Sequence, residues 1–206
     1  MKIDAIFFDL DGTLWDSTDA VVKTWNMVIK NVKEINEVVT KEKIKSIMGL
    51  QLPEIAERMF PDVDKNLKIR ILKKCCSSEC DMIKKEGGEL FPNLEETLEK
   101  LYKKYPLFIV SNCQEGYIEA FLEYHKLEKY FKDHKCAGET GLPKGENIKL
   151  MVKDYKLKNP VYVGDTFKDF EAAKLADIPF VYASYGFGKV PSYDYKIEKF
   201  EQLLNL

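Results

Sequence analysis

Long apolar segments are missing from this sequence of 206 residues. The first apolar run extends only from Ala5 to Phe8 before Asp9 interrupts it, which is too short for the core of a secretion signal. No later run approaches the roughly 20 apolar residues that a membrane-spanning helix needs. We therefore expect no export and no membrane partner, and the predicted location is the cytoplasm.

An excess of either charge is also missing. The chain has 32 lysines and arginines against 34 aspartates and glutamates, which gives a net charge of -2. Nucleic-acid-binding proteins usually concentrate positive charge on one surface. The balance of charges therefore predicts no nucleic-acid partner.

Histidine is scarce and cysteine is irregularly spaced. The only histidines are His125 and His134, and the cysteines number five, an odd count that is typical of reduced thiols. Cys75, Cys76 and Cys80 fall on one predicted helical segment. No second ligand pair accompanies them, so helix packing is favoured over metal binding.

Short apolar runs separated by helical patterns predict an α/β fold with a doubly wound parallel sheet. The runs lack polar alternation, which suits parallel strands that are buried on both faces. Helical spacing between the runs, as at Leu94, Leu98 and Leu101 after a possible cap at Asn93, completes the strand–helix alternation. After Ala5–Phe8, the predicted strands are Leu107–Val110, Lys135–Ala137, Val161–Val163 and Pro179–Ala183.

In the segment between the first predicted strand and the others, the apolar residues recur at helical spacing throughout. An apolar stripe from Val21 to Val32 predicts its first helix, with Ser17 or Thr18 as a possible cap, and glycines end the later helices. We interpret this segment as an all-helical cap inserted into the α/β core. The predicted division assigns residues 16–87 to the cap and residues 1–15 and 88–206 to the core.

Two aspartates, Asp9 and Asp11, end the first strand at a spacing of two. Strand geometry places both carboxylates on the same side. At about 4 Å they would repel by roughly 4 kcal/mol at an effective dielectric constant near 20. A divalent cation removes this repulsion, and oxygen ligands suit Mg²⁺. Gly12 then allows a tight turn that brings its N–H close to a ligand.

Polar side chains also follow other predicted strands. Ser111 and Asn112 end the second strand, Asp165 follows a later strand with Asp169 one turn on, and Lys144 begins a helix. Singly, each has a structural explanation, as a helix cap, a helix start or a solvated lysine. Ligand sites in open parallel sheets lie beyond the carboxyl ends of the strands. Together these residues supply the nucleophile, metal site, donors and cation that phosphoryl transfer needs.

In their order along the chain, these motifs resemble those of the haloacid dehalogenase superfamily. The resemblance covers nearly the whole chain and includes the helical cap after the first motif. One departure is that relatives often place a proline after the lysine, whereas here Pro143 precedes Lys144 and Gly145 follows it. The matching segments are Asp9–Leu14, Val110–Asn112, Lys144 and Gly164–Asp169.

Within the superfamily, the chain looks most like the phosphoglycolate phosphatase branch. The additional matching segments are Asp16-Ser17, Met48–Pro53 and Gly186–Gly188. These signatures are shared with pyrophosphatases and sugar-phosphate mutases, so they narrow the substrate only loosely.

The resemblance implies a role for each motif residue. Asp9 would attack phosphorus, and Asp11 would act as general acid and then as general base. Mg²⁺ would be held by the carboxylates of Asp9 and Asp165 and by the backbone carbonyl of Asp11. We expect neighbouring carboxylates to raise the pKa of Asp11 and the metal to lower it. The implied phosphate-binding residues are Gly12, Ser111, Asn112 and Lys144. The implied supporting residues are Thr13, which would orient Asp11, and Thr166 and Asp169, which would support the metal site.

We therefore expect a Mg²⁺-dependent phosphatase, a phosphoric monoester hydrolase, that acts on a small phosphorylated substrate such as phosphoglycolate. Two alternatives belong to the same superfamily: a β-phosphoglucomutase-like sugar-phosphate mutase, which shares the first step, and a pyrophosphatase. A receiver-type signalling module is a third, but Asp11 and the cap argue against it. We also expect a monomer or weak homodimer. The cap residues expected near the leaving group are Met48, Gly49, Gln51 and Arg58.

Overall fold

A six-stranded sheet forms the centre of the computed structural model, which describes residues 3–206. The strand order is β5-β4-β1-β6-β7-β8, and every neighbouring pair is parallel. The predicted doubly wound parallel sheet is confirmed. The sheet strands are β1 (Ala5–Phe8), β4 (Leu107–Ser111), β5 (Phe131–Cys136), β6 (Pro160–Gly164), β7 (Phe180–Ala183) and β8 (Tyr195–Ile197), and a separate antiparallel ribbon joins β2 (Trp15–Asp16) to β3 (Glu89–Leu90).

Apolar layers cover both faces of the sheet. Side chains alternate along β1, so Ile6 and Phe8 join one core cluster while Ala5 and Phe7 join the other. All four are fully buried, which explains why the strand shows no polar alternation. The helices of the core are α5 (Leu94–Leu101), α6 (Tyr117–His125), α7 (Ala137–Thr140), α8 (Lys144–Asp154) and α9 (Phe167–Leu175).

Four helices form the insertion between β2 and β3. They enclose an apolar core of their own, which includes Trp25, Ile44 and Leu72. Cys75 and Cys76 are free thiols buried within this core, as the packing interpretation predicted, whereas Cys80 is half-buried and packs against the core of the α/β part. None of the helices in the described part of the chain is long and apolar enough to cross a membrane. The cap helices are α1 (Thr18–Ile29), α2 (Lys41–Ile47), α3 (Leu52–Met59) and α4 (Lys65–Glu86).

Some local details differ from the sequence expectations. Strand β5 begins at Phe131, before the expected run, and β8 was not expected. Both lie at the edges of the sheet, where one side of the strand has no partner and polar residues are tolerated. Asn93 adopts a left-handed conformation with φ 59° and makes no side-chain cap, and the side chain of Ser17 does not cap α1.

Candidate active site

The carboxyl ends of β1, β4 and β6 meet where the strand order reverses about β1. Asp9 follows β1, and its backbone N–H donates to the carbonyl of Val163 at 2.8 Å. Ser111 ends β4, and Asp165 follows β6. All three side chains are buried. The sheet topology therefore brings together the strand-end residues that the sequence singled out.

Lys144 is the cation of this site. It is the first residue of α8 and is only 2% exposed. Its Nζ lies 2.7 Å from Oδ1 of Asp9 and 2.5 Å from Oδ1 of Asp169. Burial opposes the charge, but the carboxylates of Asp169 and Asp9 more than offset this and raise the pKa of Lys144. Although Pro143 precedes it and Gly145 follows it, Lys144 holds its ammonium against Asp9.

Asp169 helps to cap helix α9 and also supports the other residues of the site. Its Oδ2 accepts from the backbone N–H of Thr166 at 2.9 Å and from the Thr166 hydroxyl at 2.6 Å, which completes a capping box at the start of α9. The same oxygen accepts from the N–H of Asp165 at 3.2 Å. Because its other oxygen pairs with Lys144, Asp169 positions its neighbours in the site.

The carboxylates form an arrangement that fits a divalent cation. One oxygen from each of Asp9, Asp165 and Asp169 lies within 4.8 Å of the others. Oδ2 of Asp165 accepts from the N–H of Phe187 at 2.7 Å, whereas its buried Oδ1 has no hydrogen-bond partner among the described residues. A buried, unsatisfied carboxylate oxygen beside a second carboxylate suits Mg²⁺. Asp9 and Asp165 are the residues that would hold the ion, and the backbone carbonyl of Asp11 remains a predicted ligand.

Gly12 allows this close approach of the first motif to Asp165. Its φ is +77°, and a Cβ at this position would lie 2.3 Å from Oδ2 of Asp165. Any side chain here would displace the carboxylate, so the glycine is required both for the turn and for space.

The pKa values of two buried carboxyl groups in the site, those of Asp9 and Asp165, are raised. Burial, followed by the charge of Asp169, raises the pKa of Asp9 to about 7, although Lys144 opposes the shift. Burial also raises the pKa of Asp165 well above its usual range, and the charges of Asp169 and Asp9 add to the effect. The buried carboxylates therefore need more positive charge than Lys144 supplies.

Asp11 is held by residues that the sequence did not single out for this role. Its Oδ1 accepts from the hydroxyls of Ser17 at 2.5 Å and Tyr117 at 2.9 Å. Burial raises the pKa of Asp11, whereas these two hydrogen bonds lower it. The expected cause, neighbouring carboxylates, is thus replaced by burial. The hydroxyl of Thr13 is buried and has no hydrogen-bond partner in the described chain, so its role in orienting Asp11 stays a prediction.

Asn112 connects the core to the cap. Its Oδ1 accepts from the backbone N–H of Lys144 at 3.0 Å, and its Nδ2 donates to the carbonyl of Gly49 at 2.8 Å. Neither Ser111 nor Asn112 caps a helix, because α6 begins later, after Gly116. The two residues instead face a cavity beneath the cap.

This cavity, of about 60 Å³, lies between the core and the cap. Met48 and Gly49 line it, as expected. Gln51 and Arg58 do not. Gln51 lines a separate groove beside Lys144, and the Arg58 guanidinium donates to the carbonyl of Ser46 at 3.4 Å. The charged cap residue in the cavity is Glu79, which the sequence reasoning missed because its signal is one acidic residue on a long polar helix.

The chain is similar to curated enzymes in sequence and to solved proteins in structure. Curated phosphoglycolate phosphatases from Shigella boydii and Escherichia coli K12 are 26% identical to the chain, over 90% of this chain and 82% of each relative. A solved haloacid dehalogenase-like hydrolase from Streptococcus pneumoniae superposes with a TM-score of 0.85 at 23% identity, covering 98% of this chain and 97% of that one. A solved Haemophilus somnus protein, described as a predicted phosphoglycolate phosphatase, gives a TM-score of 0.87 at 21% identity, covering 100% and 98%.

The family comparison covers most of the chain. The sequence profile described as haloacid dehalogenase-like hydrolase matches residues 6–183, from β1 to the end of β7 and through the whole cap. The resemblance inferred from the motifs is confirmed, and the chain belongs to the haloacid dehalogenase-like hydrolase family.

Proposed function

We propose that the protein is a Mg²⁺-dependent phosphatase that hydrolyses a small phosphorylated metabolite through an aspartyl-phosphate on Asp9. The observation that supports this most is that the buried residues Asp9, Lys144 and Asp165 converge with the half-buried Asp11 at the carboxyl ends of the strands. Phosphoglycolate is the substrate that the names of the curated relatives suggest.

In the first step, a carboxylate oxygen of Asp9 bonds to phosphorus and the ester P–O bond breaks. Asp11 gives its proton to the leaving oxygen, and burial of Asp11 favours this role by raising the pKa of its carboxyl. In the second step, water attacks phosphorus, Asp11 takes a proton from that water, and Asp9 is released. When bound, Mg²⁺ would supply positive charge that offsets the repulsion between the phosphate and the carboxylates.

The remaining residues of the site would stabilise the phosphoryl group during its transfer. The ammonium of Lys144 lies against Asp9, where it would stabilise the charge that develops on the phosphate oxygens. Ser111 and Asn112 would contribute donors from the end of β4 and the loop after it. The cap would exclude water while the leaving group departs.

Phosphate release from p-nitrophenyl phosphate tests this proposal. We expect activity with Mg²⁺, no activity in excess EDTA, and recovery when Mg²⁺ is restored. Asp9→Asn should remain folded by circular dichroism but be inactive, whereas the control Asp81→Asn, at an exposed position of α4, should retain activity. Full activity in EDTA would contradict the metal assignment, and an active Asp9→Asn would contradict the nucleophile assignment.

A further inference from the structure

Glu79 places a carboxyl group in the cavity that the leaving group would occupy. It belongs to α4 of the cap and is 6% exposed. Its Oε2 accepts from the indole N–H of Trp25 at 2.7 Å, which fixes the direction of the side chain. Asp11 lines the same cavity from the core. The general acid and Glu79 are therefore on either side of the space beneath the cap.

The rest of the cavity offers no positive charge to balance Glu79. No lysine or arginine is among the described residues that line it. Most of the cap side chains there are aliphatic, such as Val21, Ile47 and Leu50. The volume, about 60 Å³, is far below the roughly 300–1,000 Å³ of a typical small-molecule pocket, which favours a small leaving group.

A carboxylate leaving group fits this environment poorly. Burial, with a further contribution from the charge of Asp11, raises the pKa of Glu79 to about 8, although the hydrogen bond from Trp25 opposes the shift. A carboxylate on the leaving group would bring negative charge into a cavity that no lysine or arginine of residues 3–206 lines and where burial already raises the pKa values of Glu79 and Asp11. A hydroxyl or ammonium group would instead donate a hydrogen bond to the Glu79 carboxyl and favour its ionised form.

We propose that Glu79 accepts a hydrogen bond from the leaving group, so that the enzyme acts on phosphate esters of small alcohols bearing a hydroxyl or ammonium group. The enzyme therefore discriminates against esters whose leaving group carries a carboxylate. This inference rests on the proposed phosphatase function and assigns its substrate class. It makes phosphoglycolate a poor substrate despite the names of the relatives.

Four phosphate esters of nearly equal size test the inference: 2-hydroxyethyl phosphate, 2-aminoethyl phosphate, ethyl phosphate and phosphoglycolate. We expect kcat/KM for at least one of the first two to exceed that for phosphoglycolate and for ethyl phosphate by about tenfold or more, because only those two leaving groups carry a donor for the buried Glu79 carboxyl. Glu79→Gln cannot ionise and therefore loses the charge-assisted hydrogen bond that a hydroxyl or ammonium group would make to the carboxylate, so the ratio of the best donor-bearing ester to phosphoglycolate should fall by about tenfold. Asp81→Asn, on the same helix, should keep the wild-type ratio.

The possible results distinguish a failure of the Glu79 assignment from a failure of the proposed phosphatase function. If the wild type hydrolyses p-nitrophenyl or acetyl phosphate but prefers phosphoglycolate, or hydrolyses none of the four esters, the assignment of Glu79 is overturned and the phosphatase stands. An unchanged ratio in folded Glu79→Gln also overturns the assignment. If no phosphate ester or acetyl phosphate is hydrolysed with Mg²⁺, the phosphatase function itself fails.

Discussion

Glu79 should make the folded protein less stable at neutral pH than it would be with a neutral side chain. The ordinary pKa of a glutamate is 4.5, and burial raises the pKa of Glu79 to about 8. Between these values the folded state holds a proton that the unfolded state has released. The free energy of unfolding therefore falls as the pH rises through this range, by about 1.36 kcal/mol for each pH unit. Between pH 4.5 and pH 7 the loss is about 3 kcal/mol.

Glu79→Gln removes this loss while it preserves the acceptor for Trp25. Because the amide has its own desolvation penalty, we expect the variant to gain about 1–3 kcal/mol of unfolding free energy at pH 7.5. The gain should be smaller at pH 5.5, by roughly 2–3 kcal/mol, since the glutamate is then closer to its unfolded protonation state. Urea denaturation at the two pH values and one fixed Mg²⁺ concentration measures the difference.

Asp81→Asn is the control for this experiment, because Asp81 lies exposed on the same helix. Its unfolding curve should follow that of the wild type at both pH values. If Glu79→Gln shows the same stability difference from the wild type at pH 5.5 and pH 7.5, Glu79 does not titrate with a raised pKa, and the argument from its burial is refuted.

Two further substitutions test the contacts around the nucleophile and the general acid. Lys144→Met should lower the free energy of unfolding by roughly 3–5 kcal/mol in urea denaturation, because Asp9 and Asp169 lose the ammonium they share. An unchanged free energy of unfolding would refute the stabilising role of these two buried ion pairs. Tyr117→Phe should lower kcat about fivefold to tenfold by removing one donor to Asp11, which phosphate release measures. A kcat equal to that of the wild type would show that Tyr117 does not position the acid.

Local patterns in the sequence were sufficient to predict the sheet and the convergence of its strand ends. The fully buried β1 stands out because all four of its residues are apolar and a charged residue follows directly. Asp165 and Ser111 follow strands of the same kind, and parallel topology brings such ends to one edge. Even the departure around Lys144 was predictable, since the side chain is long enough to reach Asp9 from the start of a helix.

Contacts that depend on tertiary packing were not predictable in the same way. Tyr117 is 106 positions from Asp11 along the chain, and no local pattern distinguishes its hydroxyl from those of the other tyrosines. The position of Glu79 depends on how α4 packs over the core, and Arg58 points away from the site for the same reason. Thr13 shows the converse, because its nearness to Asp11 in sequence does not become a hydrogen bond.

The central claim is that Asp9 carries the phosphoryl group during turnover, and chemical trapping tests it directly. Acetyl phosphate has a leaving group that needs little protonation, whereas release of the phosphoryl group from Asp9 needs Asp11 as a base. Asp11→Asn should therefore accumulate the aspartyl-phosphate. Quenching with sodium borohydride and peptide mass spectrometry should find homoserine at position 9, and no reduced residue in a control without acetyl phosphate. Trapping at a different residue, or hydrolysis of acetyl phosphate by this variant with no trapped acyl phosphate, would contradict the account.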